Sequence, residues 1–129
     1  MRGRRKTAKI SEAEWNIMKV LWDGCDSGGR GMTLGEIVDR LSDSTGWSDT
    51  TIRTLIIRLA EKGAVSIDKT TGVYKYKPLS SKSESVLRET EAFVARVYDG
   101  SYSALVSQII SSGKITDSEK ADIVSALSH

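Results

Sequence analysis

Apolar residues fall at helical spacing in three consecutive stretches of the first half of the chain. Trp15, Met18, Leu21 and Trp22 share one side of a predicted helix from Glu12 to about Asp23, where they are expected to be buried. Leu34, Ile37, Val38 and Leu41 form a stripe over about Leu34 to Ser42. Ile52, Leu55, Ile56 and Leu59 repeat at i, i+3, i+4 and i+7 in a third helix from Asp49 to Lys62, with Gly63 where a terminating glycine belongs. The period then changes. Ala64 to Asp68 alternates as a strand, Lys69-Thr70-Thr71-Gly72 reads as a turn, and Val73 to Lys77 alternates again, with Pro78 expected to end the pairing.

Helix starts are marked by their caps. A Ser or Thr followed three residues later by Glu satisfies two backbone donors reciprocally, and this box occurs at Ser11/Glu14, Thr33/Glu36, Ser81/Glu84 and Thr116/Glu119. Ser48 is a further N-cap without the Glu. Apolar staples pair Ile10 with Trp15, Met32 with Ile37, and Trp47 with Ile52. Four glycines between Gly24 and Gly31 predict a loop.

Three helices followed by a hairpin predict a mainly α fold of the winged helix-turn-helix type, in which the second and third helices are the DNA-reading pair. The arc of the third helix opposite its apolar stripe holds Thr50, Thr51, Arg53, Thr54, Ile57 and Arg58. Arginine forks onto guanine O6 and N7, and threonine bonds phosphate or touches a thymine methyl. Ile57 on this arc is either a partly covered surface aliphatic or a thymine-methyl contact. Lys69, Lys75 and Lys77 would line the wing, each either solvated or on a phosphate.

The second half has no strand pattern. A helix of about 18 residues is predicted from Ser81 to Tyr98, carrying Val86, Leu87, Phe93, Val94, Val97 and Tyr98. Ser101 to Ser111 shows Tyr102, Leu105, Val106, Ile109 and Ile110 on one stripe, and a last helix from Asp117 offers Ile123, Val124 and Leu127. Three short helices bury little by themselves. Packing against a second copy solves this and sets two reading helices on one duplex. The alternative is a monomeric cap over the winged helix. In the dimer reading, Phe93, Val97, Tyr102, Leu105, Val106, Ile109 and Ile110 form the seam. The expected organisation is a flexible basic tail at 1–9, a winged helix at 10–79 and a three-helix dimerisation region at 80–129.

Charge sharpens this division. Arg2, Arg4, Arg5, Lys6 and Lys9 crowd the start, and the chain up to Leu79 is net positive while the remainder is net negative, within an overall charge of +2. Only the first part suits a polyanion. One cysteine, Cys25, and one histidine, His129, supply no thiolate cage, no His-based metal site and no internal general base, so no metal, cofactor or enzyme activity is expected. Cys25 is a weak candidate for a redox sensor, since it stands in a loop rather than at a helix N-terminus. No run of 18 apolar residues occurs, and the basic start is not followed by the apolar stretch of a secretory signal. A reducing cytoplasm without membrane insertion is the expected location.

The segment Trp47 to Gly63 closely resembles the reading helix of the penicillinase-repressor family, the BlaI/MecI type. Ile10-Ser11-Glu12-Ala13-Glu14-Trp15 with Met18 and Trp22, and Phe93 to Leu105 with Tyr98, Gly100 and Val106, are also similar to that family. The resemblance spans about residues 8–127. It implies a bacterial homodimeric repressor of an inverted-repeat operator of TACA/TGTA type, with interlocked C-terminal helices. Thr51, Arg53, Thr54 and Arg58 match DNA-contacting positions of the family. Thr50 stands where relatives often have Lys, and Ile57 where they often have Thr. A copper-responsive branch carries Cys-x-Cys pairs, which this chain lacks. A β-lactam-responsive branch answers to a membrane sensor-protease system and is cut at an Asn-Phe bond in its dimerisation helices. The matching position here is Gln108-Ile109.

Two other readings stay open at this point. The winged helix can serve as a protein-interaction module for an acidic partner, and a dimer seam can hold a small sensed ligand. The Thr/Arg arc suits base edges better than a protein groove, and no ligand signature is present.

Overall fold

A computed structural model describes residues 9–25 and 29–128. Its elements are α1 (Glu12–Gly24), α2 (Leu34–Thr45), α3 (Asp49–Glu61), β1 (Val65–Asp68), β2 (Lys75–Pro78), α4 (Lys82–Val97), α5 (Tyr102–Ser111) and α6 (Asp117–Leu127). Two compact units divide between Glu84 and Ser85. The expected tail lies outside the described residues except for Lys9, whose carbonyl accepts from Lys62 Nζ at 2.7 Å.

All four reciprocal caps form. Ser11, Thr33, Ser81 and Thr116 each accept from the amide of the Glu three residues on, and each Glu returns a bond to the cap amide. Ser48 caps α3 by accepting from the Thr51 amide at 3.2 Å. These bonds set where each helix enters the fold.

In the first unit, Ile17, Met18 and Leu21 of α1 pack with Ile37 and Leu41 of α2, Ile52, Leu55, Ile56 and Leu59 of α3, and Met32, Val65 and Tyr76. The expectation that Trp15 and Trp22 are buried is corrected: both are half-buried, and Ile17 takes the central place in α1. An indole is too large for a core this size with its N–H unpartnered. The two rings instead lie 5.6 Å apart at the edge, and Trp22 Nε1 donates to the Ser80 carbonyl at 3.0 Å.

Helix α2 runs past the expected Ser42 to Thr45. The Ser44 and Thr45 hydroxyls donate to the Leu41 carbonyl at 3.3 and 2.7 Å, and Thr45 Oγ1 then accepts from the Trp47 amide at 3.1 Å. Gly46 ends the helix at φ 73°, a left-handed turn that points the chain into α3.

The wing is antiparallel, with Val65 opposite Pro78, Ser66 opposite Lys77, Ile67 opposite Tyr76 and Asp68 opposite Lys75. Two expectations fail here. Pro78 does not end the pairing, because the Leu79 amide still donates to the Ala64 carbonyl at 2.9 Å. Bonded and non-bonded pairs alternate, so Pro78 falls at a pair that asks no donor of it. The second strand also begins at Lys75 rather than Val73. Tyr76, at the next non-bonded pair, turns its amide and carbonyl outward and exchanges both bonds with Met32, at 2.7 and 2.8 Å. The loop before α2 thereby adds a third rung to the ribbon. Gly31 permits the approach, since a Cβ there would stand 2.9 Å from the Tyr76 carbonyl oxygen.

In the second unit, α4 turns into α5 through Asp99 and Gly100, both at positive φ, and Ser101 caps α5. Val94 and Ser85 are buried, and Leu105, Ile115 and Ile123 are half-buried. Most of the other large apolar side chains stay exposed, between 38% for Phe93 and 79% for Leu127. Val86 and Leu87 on α4 are among them.

Candidate nucleic-acid interface

The α3 stripe is driven into the core, with Ile52 and Leu59 fully buried. Its opposite arc is therefore turned outward. Thr50, Thr51, Arg53, Thr54, Ile57 and Arg58 are all exposed, Ile57 at 44%. Within this arc the hydroxyls differ. Thr54 Oγ1 donates to the Thr50 carbonyl at 3.0 Å, which commits its proton to the helix and leaves its methyl and lone pairs outward. Thr51 Oγ1 accepts from the Ser48 hydroxyl at 3.2 Å, so its own proton is available to an acceptor. Neither arginine has an ion pair among the described residues. Two planar forks on one helix face, with no acid between Thr50 and Ala60, form a surface suited to base edges and phosphates.

The wing lysines are not equivalent. Lys69 is exposed at the turn, with Nζ 5.4 Å from the centre of the Tyr74 ring. Lys75 and Lys77 lie on the ribbon face opposite Tyr76. Lys77 Nζ donates to the Gly29 carbonyl at 2.8 Å, and Lys75 lines a cleft of about 490 Å³ with Arg30, Thr33, Glu36 and Arg40. Only Lys69 of the three stands at the tip.

That tip is braced. Asp68 Oδ1 accepts from the Thr70 hydroxyl at 2.7 Å and the Thr70 amide at 2.9 Å. These bonds, helped by Lys77 and Lys75, hold the Asp68 carboxyl below its ordinary range. Thr71 Oγ1 donates to the Val73 carbonyl at 3.2 Å. Tyr76 links the wing to α3. Burial pushes its hydroxyl up, the Arg53 guanidinium opposes this, and Tyr74 adds to it. Arg53 and Tyr74 thus both lie within electrostatic reach of one hydroxyl. Tyr74 itself escaped the sequence reading, because alternation assigned Val73 and Tyr74 to a strand that starts two residues later.

At the back of α3, Lys62 Nζ pairs with Glu14 Oε1 at 2.5 Å, and the Glu14 side chain is 3% exposed. Burial raises the Glu14 carboxyl, but the bonds from Lys62 and the Ser11 amide outweigh it and hold the group below its ordinary value. One carboxylate therefore closes the α1 cap and clamps the end of α3.

Known proteins match this layout. The family model described as "Penicillinase repressor" matches residues 10–129. The chain belongs to the penicillinase repressor family. Relatives in that family include the penicillinase repressor of Bacillus licheniformis, 29% identical over 115 residues that cover 89% of this chain and 86% of the relative. The methicillin resistance regulatory protein MecI of Staphylococcus aureus is 29% identical over 114 residues, 88% of this chain and 89% of MecI. Among solved structures, the monomeric form of B. licheniformis BlaI in complex with the blaP half-operator matches with a TM-score of 0.50 and 33% identity, over 60% of this chain and 89% of the solved chain. Members of the penicillinase repressor family are repressors rather than enzymes, and among the described residues no group of His, Cys, Asp and Glu could hold a metal ion. No described helix is long and apolar enough to cross a membrane.

The residues named for the second unit share its exposed surface. Phe93 and Val97 on α4, and Tyr102, Val106, Ile109 and Ile110 on α5, are exposed, while Leu105 is half-buried. Phe93 lies edge-on to Tyr98 at 5.9 Å and carries Arg96 over its ring at 5.7 Å. Gln108 and Ile109 are both exposed, but their peptide bond lies inside α5.

Proposed function

We propose that this chain is a DNA-binding transcriptional repressor that holds an inverted-repeat operator as a homodimer. The observation that carries the reading is the outward arc of α3, with two arginines that make no ion pair among the described residues, on a helix whose other face is locked into the core. In this reading α3 enters the major groove. Arg53 and Arg58 read guanine, Thr51 and Thr50 bond phosphate, and Thr54 and Ile57 offer methyl groups to thymine. BlaI of B. licheniformis, whose solved complex contains a half-operator, supports this use of the winged helix.

The second copy is argued from the other unit. Among the described residues, ten of the fourteen exposed large apolar side chains lie on α4, α5 and α6. An apolar surface of that extent marks an interaction site, and Phe93, Val97, Tyr102, Leu105, Val106, Ile109 and Ile110 are its proposed seam. A dimer built there presents two copies of α3 to half-sites spaced by whole helical turns. The proposed domain boundaries are a tail at 1–9, the winged helix at 10–79 and the pairing region at 80–129. Inactivation by a sensor-protease system at Gln108-Ile109 requires α5 to open first, since a protease takes an extended strand.

Selection of duplexes from a random pool, followed by a salt series on the winner, tests the function. An enriched inverted repeat with a steep fall in affinity with salt is expected, about 0.9 in log–log slope for each phosphate neutralised. No enrichment, or binding that ignores salt, contradicts it.

A further inference from the structure

The end of α1, the end of β2 and the residues just beyond it line a cavity of about 430 Å³ within the first unit. Trp22, Pro78 and Leu79 give it apolar walls, and Lys77 lines it beside them. Its size lies in the range of about 300–1,000 Å³ typical of small-molecule sites, which are mostly apolar with a few placed polar groups. Two of its side chains are held in place. Trp22 Nε1 donates to the Ser80 carbonyl at 3.0 Å, and the Trp15 ring lies 5.6 Å from the Trp22 ring. Lys77 is half-buried, and its Nζ donates to the Gly29 carbonyl at 2.8 Å. That bond leaves ammonium protons to spare and offsets none of the charge. Lys77 makes no ion pair among the described residues. The other polar groups of the wall are already engaged: the Cys25 thiol donates to the Tyr76 carbonyl at 3.7 Å, and Ser81 exchanges its cap bonds with Glu84. Leu79, 59% exposed, stands at the same cavity. An ordered aromatic wall, an exposed aliphatic side chain and a fixed cation complement a molecule that is flat and apolar at one end and anionic at the other.

We propose that this cavity binds a small aromatic carboxylate, with its ring against Trp22 and Leu79 and its carboxylate on Lys77. An indole that cannot turn away loses little freedom when a second ring stacks on it. A carboxylate on the ammonium makes a charge-assisted hydrogen bond, and the apolar walls keep water from weakening it. A neutral arene uses the walls but not the cation, and a fatty acid uses the cation but not the ring. The occupant touches α1, the wing and the segment that leads into α4 together. The inference does not depend on the repressor reading, since it concerns a different surface from the α3 arc.

The test titrates the full chain with cinnamate, with its neutral amide cinnamamide and with octanoate. Nuclear magnetic resonance follows the indole N–H signals of the three tryptophans, and Trp22→Phe identifies that of Trp22. Cinnamate is expected to move the Trp22 signal to saturation with a Kd below about 1 mM. Cinnamamide and octanoate are each expected to bind about tenfold more weakly or worse. Lys77→Met keeps an apolar stem without the ammonium. It is expected to lose about tenfold for cinnamate and to leave cinnamamide unchanged, which also shows that the cavity is intact. Leu79→Glu, at an exposed side chain, is expected to repel cinnamate more than cinnamamide. A Trp22 signal that cinnamate does not move overturns the proposal, and so does binding that shifts only signals of the second unit, because the probe then sits on that unit's apolar surface. Equal affinity for cinnamate and cinnamamide overturns it, since the cation then selects nothing. Octanoate bound as tightly as cinnamate overturns the aromatic class. Lys77→Met with wild-type affinity for cinnamate, or equal loss of both probes in both variants, overturns the role of Lys77 and the proposal with it.

Discussion

The two units spend their apolar residues in opposite ways. The winged helix drives a dozen side chains into one core and leaves an α3 arc that is polar and cationic. The second unit has three well-formed helices, yet the only buried large apolar side chain among its described residues is Val94. Secondary structure is equally clear in both, so helix formation is not what separates them. The proposed reading gives the difference a cause: a polyanion completes the first, and a second copy of the chain completes the second.

The largest expected effect breaks the second unit. Replacing Leu105 and Ile109 together by Asp puts charge into the proposed seam, at a cost of roughly 3–5 kcal/mol to assembly. Sedimentation at micromolar protein should then give a monomer where the wild type gives a dimer. A wild type that is already monomeric removes the comparison. On the first unit, Arg53→Ala should cost about 1–3 kcal/mol on the selected operator and much less on random duplex. Equal loss on both makes Arg53 a phosphate contact and not a reader of sequence.

These two predictions draw on features that were legible from residues alone. The caps and the i, i+3, i+4 stripe fixed the helices, because reciprocal Ser/Thr–Glu bonds and apolar period are local. The Thr/Arg arc followed, since burial of Ile52, Leu55, Ile56 and Leu59 dictates which side of α3 is left. What escaped depends on distant partners. The Met32–Tyr76 exchange joins residues far apart in sequence, and it moves the start of the second strand away from Val73. The Glu14–Lys62 pair joins a cap residue to the end of another helix, which no spacing rule announces. Lys75 and Lys77 look like Lys69 in the sequence, and only the ladder shows that they belong to the ribbon face opposite Tyr76 while Lys69 lies beyond its end.

A smaller effect tests the frame that holds the arc. Glu14→Gln should cost about 1.5–3 kcal/mol at neutral pH, since a buried charged hydrogen bond is lost from both α1 and α3. The sign with pH follows from the lowered carboxyl. Its contribution is complete above the ordinary value of 4.5 and fades as pH falls through the lower folded value. Melts of variant and wild type should therefore converge in acid, and a gap that widens there contradicts the assignment. Smallest is Trp22→Phe, which forfeits the bond to the Ser80 carbonyl for about 1 kcal/mol, read as a shift in denaturant midpoint without loss of DNA binding at saturation.

The division of labour is tested most directly by footprinting the Leu105→Asp/Ile109→Asp variant beside the wild type on one inverted repeat and on an isolated half-site. The account predicts that the wild type protects both halves of the repeat together at low concentration. It predicts that the monomeric variant protects each half independently, with the same pattern of guanines, at much higher concentration, and that on the isolated half-site the two proteins differ little. A folded variant that protects no half-site at any concentration would contradict it, because reading would then depend on the second unit itself and not on the number of copies it brings together.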